Sequence, residues 1–192
     1  PTDQQLTIES SPLLLKPATP ARLSERVAER ARRLARIAYS PWGPSLPEAL
    51  TGLSYEQYRS IRFRPEASLW QDKTLFAVQL FHPGFLYQEP VRIYVIQNEQ
   101  ISALHFDKTL FRYDGSAARV ADVVTPELGY AGFRVHYPYK SDGTRDEVVV
   151  FLGASYLRLL GPDHVHGLSS RGLAVDIALD SGEEFPAFKE FW

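Results

Sequence analysis

Residues Gly129–Trp192 read GYAGFRVHYPYKSDGTRDEVVVFLGASYLRLLGPDHVHGLSSRGLAVDIALDSGEEFPAFKEFW. Two alternating apolar runs, Gly132–Tyr139 and Glu147–Leu152, flank the link Lys140–Asp146, and Ser141-Asp142-Gly143 inside that link is strong turn chemistry. The pattern predicts a β-hairpin. A dense Gly/Ser/Arg block follows, from Gly153-Ala154-Ser155-Tyr156 through Leu168-Ser169-Ser170-Arg171-Gly172. Glycines let a backbone bend and polar groups gather in loops beside strands, so this block is expected to be the loop region in which a β-scaffold presents a site.

Outward from the hairpin, strand signals dominate. They cover Thr74–Phe81, Gly84–Tyr87, Val91–Gln97, Ile101–Phe106, Leu110–Tyr113, Tyr156–Leu160 and Leu173–Leu179 as well as the two hairpin arms. His82-Pro83-Gly84, Asn98-Glu99 and Asp114-Gly115 punctuate them, which argues for an antiparallel meander. No alternation of strands with helices appears, so the fold class is mainly β and the expected architecture is an antiparallel β-sandwich.

Upstream, Leu53–Pro65 combines a helical turn at Ser54–Tyr58 with a strand-like Ile61-Arg62-Phe63-Arg64, whose alternation turns Ile61 and Phe63 inward and Arg62 and Arg64 outward. Residues Pro1–Pro20 read as an irregular lead-in. Thr19-Pro20 then supplies an N-cap and a proline at the first helical position. Leu23, Val27, Ala31, Leu34 and Ala38 recur at helical spacing, and Pro41, Gly43 and Pro44 stop the helix near Tyr39. Residues 1–44 are thus read as lead-in and basic amphipathic helix, and 45–192 as the β-domain. The helix carries six arginines, Arg22, Arg26, Arg30, Arg32, Arg33 and Arg36, against Glu25 and Glu29, a local charge of +4. That face reads either as a docking surface for an acidic partner or as a solvated face whose small apolar stripe packs on the sheet; the second is the simpler account.

The 192 residues are 44% hydrophobic and 23% charged with a formal net charge of −2, which favours neither nucleic acid nor an anionic membrane as partner. There is no cysteine, hence no disulfide, thiolate metal site or cysteine nucleophile. No apolar run is long enough to insert in a membrane. The absence of methionine and the start at Pro1 read as a processed or trimmed start, which leaves room for a signal peptide already removed. His164-x-His166 would place two imidazoles on one strand face, but a metal needs a third ligand, and none is tied to them by spacing. No metal or other cofactor is expected.

FLGASYLR (Phe151–Arg158), GLSSRGLAVD (Gly167–Asp176), SGEEFPAFKEFW (Ser181–Trp192), LSYEQYRSIRFRP (Leu53–Pro65), FHPGFLY (Phe81–Tyr87) and ELGYAGFRVHYP (Glu127–Pro138) together resemble the periplasmic osmoregulated glucan biosynthesis family, the G and D proteins. The resemblance runs from about Ala21 to the last residue. It implies a periplasmic protein that binds and processes β-1,2-linked glucan by endo-hydrolysis or transglycosylation, or alternatively a non-catalytic glucan-binding scaffold. It also implies a galactose-mutarotase-like supersandwich followed by a smaller immunoglobulin-like domain, so these residues are expected to be the first part of a longer sandwich. Oligomeric state, a homodimer included, is left open.

Glycosidic cleavage uses two carboxyl groups flanking the scissile oxygen. Asp142, Asp146, Asp176, Glu183 and Glu184 are the candidates by position, yet Asp142 reads as a turn residue, and Asp176 in an alternating run reads as an ion-pair partner of Arg171 or Arg158. In the D-type members the catalytic acid lies beyond the position matching Trp192, so no catalytic residue is assigned in this segment. What this portion would supply is cleft wall. Tyr137, Tyr139, Tyr156, Arg158, Ser169 and Arg171 carry the planar or polar-tipped groups that stack on pyranose faces and bond to hydroxyls.

Overall fold

A computed structural model of the chain describes residues 8–9, 20–39, 45–97, 100–153, 155–172 and 174–192. The expected hairpin is its centre: β7 (Gly132–Tyr137) and β8 (Asp146–Leu152) pair antiparallel, with one register shift beside Val135. Asp142 caps the link as a turn residue, its Oδ1 accepting from the Thr144 amide at 2.8 Å, and Gly143 supplies a φ of +80°.

On one side of the hairpin β3 (Ala77–Phe81) pairs with β7. On the other, β9 (Tyr156–Leu160) and β10 (His166–Arg171) continue the meander, giving a five-stranded sheet ordered β10-β9-β8-β7-β3. A second sheet is ordered β1-β5-β4-β11, from β1 (Ile8–Glu9), β4 (Arg92–Gln97), β5 (Gln100–Leu104) and β11 (Glu190–Phe191). Its β4–β11 pair is parallel. A ribbon of β2 (Ile61–Phe63) and β6 (Phe111–Tyr113) completes the strands described.

The core lies where these layers meet. Leu80 of β3, Ile93 of β4, Leu104 of β5, and Ile61, Phe63 and Phe111 of the ribbon are buried in one cluster. Phe191 of β11 meets Phe133 of β7 edge-on at 5.0 Å and Phe151 of β8 at 5.3 Å, so the two larger sheets face each other across aromatic rings. Trp192 stacks on Tyr94 at 4.0 Å. The apolar end of the chain is therefore packed on its own sheets.

The helix α1 (Pro20–Leu34) ends earlier than its periodicity suggests. Its last turn tightens, with the Arg36 and Ile37 amides bonding to carbonyls three residues back, and the chain leaves so that the Tyr39 hydroxyl reaches Glu89 at 3.0 Å. Thr19, the expected cap, lies outside the described residues. The packed side of α1 is not the whole apolar stripe. Leu23 joins Ile101, Tyr94 and Trp192, and Arg30 grips Glu190 with two hydrogen bonds, whereas Ala31, Leu34 and Ala38 are exposed.

Three strand expectations change. Gly84–Tyr87 is a tight turn closed by its own bridge, not a strand. Of the expected strand Leu173–Leu179, the described residues 174–179 are not a strand either: Asp176 and Ala178 have φ of +56° and +61°, and a Val175–Glu184 bridge closes a turn, so Asp176 is no strand-face partner for Arg158. Conversely, the Gly/Ser/Arg block expected to be loop is partly strand β10. Two short helices, α2 (Glu48–Thr51) and α3 (Tyr55–Arg59), lie before the ribbon, and Ser54 with Gln57 forms a capping box on α3.

Candidate functional site

Alternation along β7 sends Phe133, Val135 and Tyr137 to one face and Arg134 and His136 to the other. The second face is the outer surface of the five-stranded sheet. One rung crosses all five strands there, Gln79–Arg134–Val150–Arg158–Ser169. Four of its five side chains are polar, and they fall into two hydrogen-bonded sets.

Gln79 Oε1 accepts from Arg134 Nε at 3.0 Å and Nη2 at 2.7 Å. Glu147 then joins Arg134, at 3.4 Å, to Arg158, at 3.3 Å. Tyr156 and Ser169 share a hydroxyl–hydroxyl bond of 2.9 Å, and Ser169 lies 3.4 Å from His166 Nε2. Burial, reinforced by the Arg134 charge, pushes the His136 imidazole below its ordinary value, so it is uncharged at neutral pH. The face offers guanidinium donors and hydroxyls to a ligand but no free carboxylate acid among these groups.

The six residues expected to form the site separate into two groups. Tyr156, Arg158 and Ser169 come together on this face; Arg171 pairs by its backbone with Tyr156, and its side chain lies outside the described ones. Tyr137 and Tyr139 do not join them. They stand at the hairpin end, their rings 5.2 Å apart, with Tyr137 against Phe76 at 5.2 Å and the Tyr139 hydroxyl 3.4 Å from the Leu160 carbonyl. Asp146 is buried at the start of β8. The Asp142 carboxyl is held low by the Thr144 backbone amide and hydroxyl, as a turn residue should be. Glu183 accepts from the Ala178 amide at 3.3 Å within its own turn.

A further feature adjoins the β3 end of the rung. A groove of about 550 Å³ is lined by Tyr55, Tyr58, Phe85, Tyr87, Arg59 and Arg134 among others. Tyr55–Phe85 and Tyr58–Phe85 ring centroids are 6.1 Å apart and Tyr58–Tyr87 5.6 Å, forming one aromatic row. Arg59 stands 5.5 Å over Tyr55, and Arg134 stands 5.5 Å over Phe81, so Arg134 belongs to both groove and rung. The sequence signal was weak: Tyr55 and Tyr58 lie three apart on α3, one face of a helix, but nothing in their spacing ties them to a turn some thirty residues on.

Among the described residues no three or more metal-ligating side chains gather, and no helix is long and apolar enough to cross a membrane.

The profile of the family described as "Periplasmic glucan biosynthesis protein, MdoG" matches residues 24–192. Glucans biosynthesis protein G of Ralstonia nicotianae is 46% identical over 167 residues, 86% of this chain and 33% of the relative. The protein of the same name from Bradyrhizobium diazoefficiens is 43% identical over 86% of this chain and 33% of its own length, and that of Vibrio cholerae 41% over 88% and 31%. The chain spans about a third of the length of the curated relatives it matches. With a family match over most of its residues and an outer sheet face built of arginines and hydroxyls, this chain belongs to the periplasmic glucan biosynthesis protein family.

Proposed function

We propose that this chain is the portion of a periplasmic glucan biosynthesis protein that holds β-1,2-linked glucan against the outer face of its five-stranded sheet, while the chemistry, endo-hydrolysis or transglycosylation, is completed by an acid outside residues 1–192. The observation that carries this reading is the Gln79–Arg134–Val150–Arg158–Ser169 rung with Tyr156 bonded beside it. Fixed guanidinium forks donate in plane to sugar hydroxyls, and a tyrosine ring covers the apolar face of a pyranose; both need little ordering on binding because their partners already hold them. Tyr156, Arg158 and Ser169 are assigned to sugar contact on this face, Arg171 to sugar contact from the same strand as Ser169, and Tyr137 and Tyr139 to a separate contact at the hairpin end.

One observation favours the scaffold reading for this portion: Glu147, the carboxylate on that face, is engaged by two arginines and is placed to organise them, not to donate a proton. Incubating the full-length protein with linear β-1,2-glucan and following chain length by chromatography tests both. Shortened or redistributed chains support processing. Binding with unchanged chain length leaves the scaffold reading, and absence of binding by the folded protein overturns the proposal.

A further inference from the structure

We infer that the aromatic groove between α3 and the His82–Tyr87 turn is a second saccharide subsite, which extends the glucan path from the arginine rung past Arg134 onto Tyr55, Phe85 and Tyr87; the inference rests on the glucan-binding reading above. Three observations carry it. The groove and the rung share Arg134, whose guanidinium is fixed by Gln79 and Glu147 and stands over Phe81 at the groove wall, so a chain leaving one enters the other.

The ring row is held open at a conformational cost. Phe85 has a φ of +54°, a region bulky residues avoid, and is pinned there by its amide bonding to the Leu50 carbonyl at 3.0 Å. Its neighbour Gly84 has a φ of +142° and little room for a Cβ, which would sit 3.2 Å from both the Leu50 carbonyl and Leu53 Cδ1. The product of this constrained turn is a phenyl ring turned towards Tyr55 and Tyr58.

The lining chemistry is that of a sugar site. Tyr55 is 56% exposed, so a large ring with Arg59 over it stands at the mouth of the groove. Arg59 is exposed beside it, and Arg62 and Arg112 are directly opposite each other on the β2–β6 ribbon, Arg112 held by Glu66 at 3.8 Å and Arg62 by the Arg59 carbonyl at 3.4 Å, so guanidinium groups line the groove. Rings with hydroxyl tips flanked by guanidinium donors match the amphipathic faces of a pyranose chain. The cavity is of the size that holds a small ligand.

The test is calorimetric titration of the full-length protein with β-1,2-gluco-oligosaccharides of increasing length. Affinity should rise with length as chains reach the groove, and Tyr55→Ala and Arg59→Ala should each lower affinity for the long chains by about fivefold to tenfold while leaving the shortest binding chain unchanged. Arg158→Ala should weaken short and long chains alike. Both replaced groove residues are exposed, so circular dichroism should show a folded protein. Long chains bound as tightly by both groove variants as by the wild type would overturn the second subsite and leave the rung reading standing. A wild-type protein that binds no chain of any length would overturn that reading and the inference with it.

Discussion

Arg134 and Arg158 stand on the same rung of the five-stranded sheet, with β8 between them, and are joined by one carboxylate: Glu147 Oε2 is 3.4 Å from Arg134 and Oε1 3.3 Å from Arg158. Two guanidinium groups facing the same way would otherwise repel. The shared anion neutralises them and holds both in place.

Replacing that anion should therefore act on binding more than on folding. Glu147→Ala is expected to cost about 1 kcal/mol of stability, since the arginines can reach water. Its effect on glucan affinity should be larger than the effect on stability, because both arginines lose their fixed direction at once. Urea denaturation and calorimetry on the full-length protein measure the two. A variant that binds glucan as the wild type does would show that Glu147 does not position these arginines for a ligand.

Two glycines of the hairpin separate space from conformation. Gly132 has a φ of +156°, and a Cβ there would lie 2.0 Å from the Phe151 carbonyl oxygen across the ladder, whereas Gly143 has a φ of +80° and open space around it. Gly132→Ala should cost about 3 kcal/mol or more, because backbone must move against backbone. Gly143→Ala should cost only about 1–2 kcal/mol, the price of the left-handed conformation alone. Thermal unfolding of both variants should rank them in that order.

Tyr130 is fully buried, and its hydroxyl donates to the His105 carbonyl at 2.8 Å while accepting from the Asp107 amide at 3.1 Å. Burial pushes the phenol far above its ordinary value, so it remains neutral and keeps both roles. Tyr130→Phe leaves the ring in the core yet strands one carbonyl and one amide, at an expected cost of about 1–3 kcal/mol. A loss in that range on equilibrium unfolding supports the bridging role, and an unchanged midpoint would show that water replaces the hydroxyl.

What the sequence made legible follows from locality. The β7–β8 hairpin was readable because strand alternation and an Asp-Gly turn lie within twenty or so residues. The mainly β, antiparallel architecture followed from the same signals repeated. Strand β10 was hidden because Gly167, Ser169 and Ser170 have little intrinsic strand preference, and only pairing with β9 makes them extended. The error at Leu173–Leu179 is the converse: an alternating pattern is broken by backbone angles that no side chain announces. Within the site, Tyr156, Arg158 and Ser169 were found together because β9 and β10 are neighbours in sequence. Tyr137 belongs to the other face by parity alone, one residue past His136. The groove was out of reach because α3 and the His82–Tyr87 turn meet only after β3 has brought them together.

His82 links that turn to pH. Its ring is buried edge-on against Phe106, Phe111 and Tyr113, with Nδ1 2.6 Å from the Pro83 carbonyl and Nε2 3.1 Å from the Tyr113 hydroxyl. A carbonyl only accepts, so Nδ1 carries the proton, and Nε2 takes the hydroxyl hydrogen of Tyr113. Burial lowers the imidazole from an ordinary 6.5 to about 4, opposed only by the Pro83 hydrogen bond. The unfolded chain thus binds a proton from pH 6.5 downward while the folded protein does not until about pH 4, and proton uptake by the unfolded state alone lowers stability as pH falls through that window. Above pH 6.5 the contribution fades as the unfolded chain also loses its proton. The slope it adds is at most about 1.4 kcal/mol per pH unit. Carboxylates add their own dependence below pH 5, so the measurement is a difference: urea midpoints of the wild type and His82→Gln between pH 7.5 and 4.5. Glutamine keeps a donor and an acceptor but no titrating group, so the variant, though less stable at pH 7.5, should lose less stability on acidification than the wild type. Two parallel curves would show that His82 is protonated equally in both states and that its burial does not set the acid limit of the fold.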